Sequence, residues 1–89
     1  MEKDSLKLVS WRWGNDSLPS IVGKAENTSN ETYDSTYIEF KIYDKQGNFI
    51  GEANDFVRNL GPHETWAFKC DAPPEAHHAD FVKLYGNFK

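Results

Sequence analysis

The side chains best suited to chemistry lie in the second half of the chain, at His63, Cys70, Asp71, His77 and His78. Cysteine beside histidine suggests either a zinc site or a nucleophile with its base. A structural zinc site needs four converging ligands, usually with paired cysteines, and this chain has a single cysteine. Alternation in the surrounding strand points that thiol into the apolar core, where a thiol is inert. We therefore expect no metal ion, no cofactor and no catalytic residue.

A second set of oxygen-bearing side chains, Asp44, Asn48 and Asp55, resembles part of a calcium loop. Calcium requires six or more oxygen ligands with several carboxylates, and the loop at Asp44 supplies one. An Asx side chain can bond the backbone two residues on, and glycine accepts a positive φ, so Asp44 with Gly47 predicts a tight turn. Three glycosylation sequons are interpreted as loop chemistry in the same way, at Asn15, Asn27 and Asn30.

Aromatic residues offer the most promising binding surface, because the chain has more of them than one small core can hide. Those in question are Trp11, Trp13, Tyr33, Tyr37, Tyr43 and Tyr85. Exposed rings can stack on sugars or anchor a protein. They can also pair across strands, which stabilises a sheet by roughly 0.2–1 kcal/mol per pair. The candidate binding residues are Trp11, Trp13, Tyr37 and Tyr43.

The strand that positions these residues runs over residues 36–43 and alternates with a period of two. Ile38, Phe40 and Ile42 take one face, while Tyr37 and Tyr43 take the other. This pattern predicts a strand whose first face is buried. Because the strand leads directly into the turn at residues 44–48, it predicts a hairpin with the segment that follows.

Residues 49–60 are predicted to form either one long bent strand or two short ones, and further strands are predicted at residues 6–13, 21–27, 65–70 and 80–88. In the first, Leu6 and Leu8 share one face, while Val9, Trp11 and Trp13 share the other. Because both faces are partly apolar, the pattern does not decide which of them points inward. In the last, Val82, Leu84, Gly86 and Phe88 oppose Phe81, Lys83 and Tyr85. The strand at 65–70 alternates cleanly and predicts three inward residues, Trp66, Phe68 and Cys70.

Small residues and a proline set two local expectations. Gly23, on the inward face of its strand, indicates close approach of a large neighbour, for which Trp66 and Phe40 are the candidates. Pro62 stands second in a turn, and His63 stands where a type II turn would take glycine. We expect either a type I turn or a left-handed His63. Six or seven short strands with almost no helix predict an all-β, antiparallel sandwich.

Length and charge limit the possible functions. With 89 residues and a net charge of -4, the chain is expected to form one domain that does not bind nucleic acid, since phosphate binding needs a basic face. One cysteine excludes an internal disulfide. The charged start of the chain lacks the apolar run of a signal peptide, and no run is long enough to cross a bilayer. A removed membrane anchor stays compatible with this sequence.

Three segments in order resemble the bacterial FxLYD domain. Residues 40–44 match its naming motif, with Ile42 in place of leucine, and residues 22–29 are similar to its glycine-to-asparagine strand end. Residues 60–68 resemble its proline-glycine-glutamate segment, with His63 in place of the usual glycine. The resemblance covers residues 21–89 and implies an immunoglobulin-like sandwich located outside the cytoplasm, with no catalytic set. On this view the motif residues are structural, namely Phe40, Ile42, Tyr43, Asp44, Gly47, Pro62 and Trp66.

The residues predict a non-catalytic binding or spacer module, and the resemblance implies that it belongs to a bacterial protein and lies outside the cytoplasm. Two alternatives stay open, each with its own partner. One is a carbohydrate- or cell-wall-binding module that uses the exposed aromatics, for which the distinguishing sign is a flat, exposed row of rings. The other is a protein–protein module that pairs or dimerises through an edge strand. The chain is expected to be a monomer or a weak dimer.

Overall fold

The computed structural model describes residues 5–14 and 17–89, so the sequon at Asn15 lies outside the described residues. Its elements are six strands: β1 (Leu6–Trp13), β2 (Ser20–Asn27), β3 (Tyr33–Tyr43), β4 (Phe49–Leu60), β5 (Thr65–Asp71) and β6 (His78–Phe88). They form two antiparallel three-stranded sheets, ordered β1-β2-β5 and β4-β3-β6. The described part of the chain contains no helix. The predicted β-sandwich is confirmed.

The strand order is that of an immunoglobulin-like sandwich. Strands β1, β2 and β5 occupy the places of A, B and E, while β4, β3 and β6 occupy those of C′, C and F. In that arrangement a strand G lies next to F, whereas here β6 has β3 as its one hydrogen-bonded neighbour among the described residues. Strand β6 is therefore an edge of its sheet.

The core is built from the strands with the cleanest alternation. Ile38, Phe40 and Ile42 of β3 are fully buried. Strand β5 contributes its alternate residues Trp66, Phe68 and Cys70 from the opposite sheet, all buried. The Phe40 ring lies at the centre of the core, with its centroid 5.0 Å from that of Trp11, 5.7 Å from Phe81 and 6.2 Å from Phe68.

A β-bulge in β1 overturns the facing expected for that strand. The pairing of β1 with β2 shifts between Leu8 and Ser10, which leaves Val9 as an extra residue. An extra residue reverses the alternation beyond it. Leu6 and Leu8 before the bulge, and Trp11 after it, therefore all pack against the core, while Val9 is 48 % exposed. The prediction that the two leucines oppose the tryptophans was wrong.

Strand β6 contains a second bulge with the same effect. Its pairing with β3 shifts so that Phe81 lies opposite Phe40 and Lys83 opposite Glu39, with Val82 inserted between them. Phe81 therefore turns toward the Phe40 ring, and the expected grouping of Phe81 with Lys83 was wrong. Beyond the bulge, Leu84 packs against the core as expected. The strand also begins two residues earlier than predicted, at His78.

The turn between β3 and β4 is held by Asp44. Its Oδ1 accepts hydrogen bonds from the backbone N–H groups of Gln46 and Asn48, at 2.9 and 2.8 Å. Gly47 has a φ of 88°, the left-handed conformation that glycine adopts without steric cost. Hydrogen bonds from Asn48 and the turn backbone lower the pKa of the Asp44 carboxyl. These contacts account for the loop as a turn.

Pro62 and His63 form the turn before β5. His63 has a φ of 62°, and Glu64 N–H donates to Gly61 O at 3.2 Å. The left-handed third position corresponds to a type II turn, the second of the two expected alternatives. His63 Nε2 lies 2.9 Å from Asn30 Oδ1, so a contact to the neighbouring loop holds the imidazole in place.

Gly23 of β2 lies between Trp11 of β1 and Phe68 of β5, its partners in the two strand pairings. A Cβ atom there would lie 2.6 Å from Phe68 Cζ and 2.9 Å from Trp11 Cα. The large neighbour is therefore Phe68, which pairs with Gly23 across β2 and β5, and the expectation of Trp66 or Phe40 was wrong. Trp66 pairs instead with Ala25, two residues further along.

Asn27, at the end of β2, ties two loops together from a fully buried position. Its Nδ2 donates to the backbone carbonyls of Glu31, Leu60 and Gly61 at 2.8, 3.1 and 2.9 Å. Its Oδ1 accepts from the N–H and the hydroxyl of Ser29. The bond to its own loop was expected from the sequence, whereas the bonds to residues 60 and 61 join the β2–β3 loop to the β4–β5 turn.

The two sides of the sandwich differ. On one side β4 lies along β5, and Lys69 N–H donates to Asp55 Oδ2 at 3.0 Å, which links the edge strands of the two sheets. On the other side β1 and β6 approach each other much less. The β1–β6 side is consequently the open side, and the partly exposed ring of Phe81 lies there.

Candidate surface on the outer face of the β4-β3-β6 sheet

Three rings cross the outer face of the second sheet, one from each strand, and we call them the aromatic row: Phe56, Tyr37 and Tyr85. The three residues are register partners, with Tyr37 of β3 in the middle. Its ring centroid is 5.8 Å from that of Phe56 and 5.1 Å from that of Tyr85, with interplanar angles of 22° and 19°. Phe56 is 56 % and Tyr85 43 % exposed. A contiguous set of rings therefore faces solvent.

The ring geometry decides which surfaces a ligand can reach. Nearly parallel rings with centroids this close overlap partly, in the offset-stacked arrangement that aromatic pairs prefer. The Tyr37 ring is covered on both faces as a result, so the three rings are stacked on one another and do not form the flat row expected of a carbohydrate-binding module. The ammonium of Lys83 lies 4.7 Å from the Tyr85 ring centroid and covers that end of the row. The reachable surfaces are the outer ring face of Phe56, the ring edges and the tyrosine hydroxyls.

Polar side chains lie next to the aromatic row. Glu39 of β3 pairs with Asn54 of β4 on one side and with Lys83 of β6 on the other. In the described part of the chain, the Glu39 carboxylate and the Asn54 amide bond to no other side chain. With the aromatic row they line a shallow concavity whose wall also includes Asp55. This depression combines ring surface with amide and carboxylate groups that are free to bind.

The structure separates the four candidate aromatics. Trp11 and Trp13 belong to the other sheet, where both are only partly buried and pack against the core. The bulge at Val9 is the reason, since it turns both indoles inward. Tyr37 alone of the four lies in the aromatic row, and we therefore leave the two tryptophans out of the candidate surface.

Tyr43 lies on the same outer face as Tyr37 but at the far end of β3. Its ring centroid is 6.0 Å from Phe49 and 5.7 Å from His78, which gives a second set of rings across the three strands. On this face of β3, two polar residues, Glu39 and Lys41, lie between Tyr37 and Tyr43. Their partners on β4 are also polar. Tyr37 and Tyr43 thus belong to two different patches.

Sequence reasoning missed Phe56 and did not place Tyr85 among the candidate residues. Phe56 lies three residues after the buried Ala53, so alternation from that residue would have put it on the outer face. That it stands beside Tyr37 depends on the β3–β4 register, which is fixed by the turn at Asp44 and the bulge near Gly51. Placing Tyr85 beside Tyr37 would have required knowing where the bulge in β6 lies.

The histidines and the cysteine lie apart from the aromatic row. Cys70 is fully buried, whereas His77 and His78 are exposed, and His78 Nε2 lies 2.9 Å from Asp80 Oδ1. Within residues 5–14 and 17–89, no three His, Cys, Asp or Glu side chains are grouped so that they could hold a metal ion. Desolvation, with smaller contributions from the Asp55 and Asp71 carboxylates, raises the pKa of the Cys70 thiol to about 12.

This raised pKa predicts an unreactive thiol. Ellman's reagent at pH 8 should leave Cys70 unmodified in the folded chain and react fully after denaturation, because the thiolate is the nucleophile. Between its unfolded pKa of 9.0 and its folded pKa of about 12, the Cys70 thiol keeps its proton in the folded chain and loses it in the unfolded chain. The contribution of Cys70 to stability is therefore lost as the pH rises through this range. Urea unfolding of the parent and Cys70→Ala across that range measures the loss. Rapid labelling of the native chain would contradict the prediction.

No family model, curated protein or solved structure matches the chain. In the described residues there is no helix long and apolar enough to cross a membrane.

Proposed function

We propose that this chain is a non-catalytic binding module of a bacterial protein located outside the cytoplasm, and that it binds glycan at the aromatic row. The compartment and source come from the resemblance to the FxLYD domain. The surface comes from one observation, the concavity in which Phe56 and Tyr85 face solvent beside unengaged polar groups on Glu39 and Asn54.

A glycan suits this depression for chemical reasons. A sugar ring presents an apolar C–H face, which packs on a flat aromatic face, and hydroxyls around its rim, which bond to amide and carboxylate oxygens. Phe56 supplies the flat face, because its outer side contacts no other aromatic ring in the described part of the chain. Asn54 and Glu39 supply the polar partners at the next row of the sheet. Aromatic and polar groups on a rigid strand keep their geometry without a ligand.

The proposal predicts a located, saturable NMR response to sugars. Soluble peptidoglycan fragments and chitooligosaccharides are titrated into the labelled protein while backbone amide shifts are followed. Shifts should concentrate at Tyr37, Asn54 and Phe56. Phe56→Ala should weaken binding about tenfold, or about 1.4 kcal/mol, since the stacking face is lost.

Leu18→Ala is the matched control, because Leu18 is 66 % exposed on the β1–β2 connection and lies outside the aromatic row. That variant should bind as the parent does. Shifts confined to the other sheet, or equal affinities for the parent and Phe56→Ala, would reject the proposed site. A silent titration with a well-dispersed spectrum would leave the chain as a spacer or a protein-binding module.

A further inference from the structure

The edge of β6 has only part of the usual protection against pairing, namely the bulge at Val82 and the charges of Asp80 and Lys83. Sheet edges are commonly blunted by short strands, proline or inward-pointing charges. Strand β6 is 11 residues long, contains no proline and carries four of the exposed large hydrophobic residues. They are Phe81, Val82, Tyr85 and Phe88. A strand placed against this edge would occupy the position of strand G in an immunoglobulin-like sandwich and would cover the open side.

We propose that the occupant of this edge is a second copy of the same chain, paired antiparallel through β6 about a two-fold axis between Phe81 and Val82. In this register Asp80 lies opposite Lys83 of the second copy, and the symmetry makes this pair twice. A register centred on Asp80 or on Lys83 would instead place like charges opposite each other, which destabilises a sheet. Charge therefore favours this register over those two.

The bulge at Val82 is what makes this register possible. Asp80 and Lys83 are three residues apart, so in a regular strand they would point to opposite faces. The extra residue returns Lys83 to the outer face, where Asp80 also lies. Residues that face each other across the axis consequently share a face. The remaining pairs are Ala79 with Leu84, Phe81 with Val82, and His78 with Tyr85.

The rows of the outer face continue across the two-fold axis. The polar row from Glu39 to Lys83 meets Asp80 of the second copy, followed by its Lys41 and Glu52. The charges then alternate in sign along the whole line. The aromatic row ends at Tyr85, which meets the ring of His78 and, beyond it, the rings of Tyr43 and Phe49 of the second copy. Two three-stranded sheets thus become one six-stranded sheet with matched rows.

Charge reversal tests the register, and it does not depend on the glycan proposal. Sedimentation velocity over a concentration series should show the parent in a monomer–dimer equilibrium. Asp80→Lys and Lys83→Glu should each weaken the dimer about tenfold, because two attractive pairs become repulsive. Mixing the two variants in equal amounts should restore dimerisation, since Asp80→Lys brings two positive residues opposite the two negative residues of Lys83→Glu.

Lys7→Glu is the control, because it reverses an exposed charge on β1 and should leave the equilibrium unchanged. Amide spectra of each variant establish that it is folded. The proposal is overturned if the folded parent stays monomeric at millimolar concentration, or if both reversals dimerise as the parent does. A mixture that stays monomeric also overturns it. Saturable sugar binding by a strictly monomeric parent would reject the dimer alone and leave the glycan site standing.

Discussion

Replacing Phe40 by alanine should destabilise the chain by about 3–5 kcal/mol, the usual cost of removing a buried aromatic ring. The ring is fully buried and contacts Trp11, Phe68 and Phe81, so its loss leaves a cavity that both sheets border. Domains of this size have a total stability of about 5–15 kcal/mol, and the loss is a large part of it. Urea unfolding followed by tryptophan fluorescence measures the difference.

Phe56→Ala is the matched control for this change, because it removes the same ring from the solvent face. It should cost about 1 kcal/mol or less, in keeping with one exposed cross-strand pair. Phe40→Leu, which keeps part of the volume, should fall between the two and gives a measurable variant where Phe40→Ala does not fold. Equal unfolding midpoints for Phe40→Ala and the parent would show that the core is assigned wrongly.

Asn27→Asp should have the second large effect. The substitution keeps the shape of the side chain but replaces the Nδ2 donor by a carboxylate oxygen. That oxygen would face the backbone carbonyls of Glu31, Leu60 and Gly61, to which Nδ2 donates. An uncompensated buried charge costs about 3–5 kcal/mol. We expect a loss of that size at pH 7, measured by urea unfolding.

The pH dependence separates a charge effect from a packing effect. Burial and the carbonyl oxygens would raise the folded pKa of the new carboxyl above its unfolded value of about 3.9. The variant should therefore recover part of its stability relative to the parent below that pH and lose it as the pH rises. Asn87→Asp, at an exposed position, should change stability little at either pH. A loss that is the same at pH 3 and pH 7 would contradict the explanation.

Strands whose residues alternate without interruption were predictable. Period-two patterns in β3 and β5 identify the buried residues, and the turn chemistry of Asp44 and Gly47 locates the hairpin. The predicted side-chain orientations of β1 and β6 were wrong for one shared reason. In each strand a single extra residue reverses the orientation of every side chain beyond it. At Val9 and Val82 the extra residue is itself apolar, so the local composition gives no sign of a bulge.

The candidate surface was predictable to a smaller degree. The exposed position of Tyr37 follows directly from the alternation in β3, which places it on the face away from Phe40 and Ile38. Its neighbours in the aromatic row come from two other strands, and their alignment depends on the register of both pairings. A register follows from turn geometry and bulges together, which periodicity within one strand does not encode. The inward packing of Trp11 and Trp13 was not predictable for a related reason, because it depends on the bulge before them.

The bond from Lys69 to Asp55 also has a consequence for motion. It fixes the distance between the two sheets along the β4–β5 edge, while the opposite edge has few contacts to hold it. We therefore expect fluctuations that separate the sheets to hinge on the β4–β5 side and to open the widest gap between β1 and β6. Regions with few buried contacts open at the lowest free energy. We therefore expect water to reach the Phe40 ring first from that gap and local unfolding to begin on the same flank.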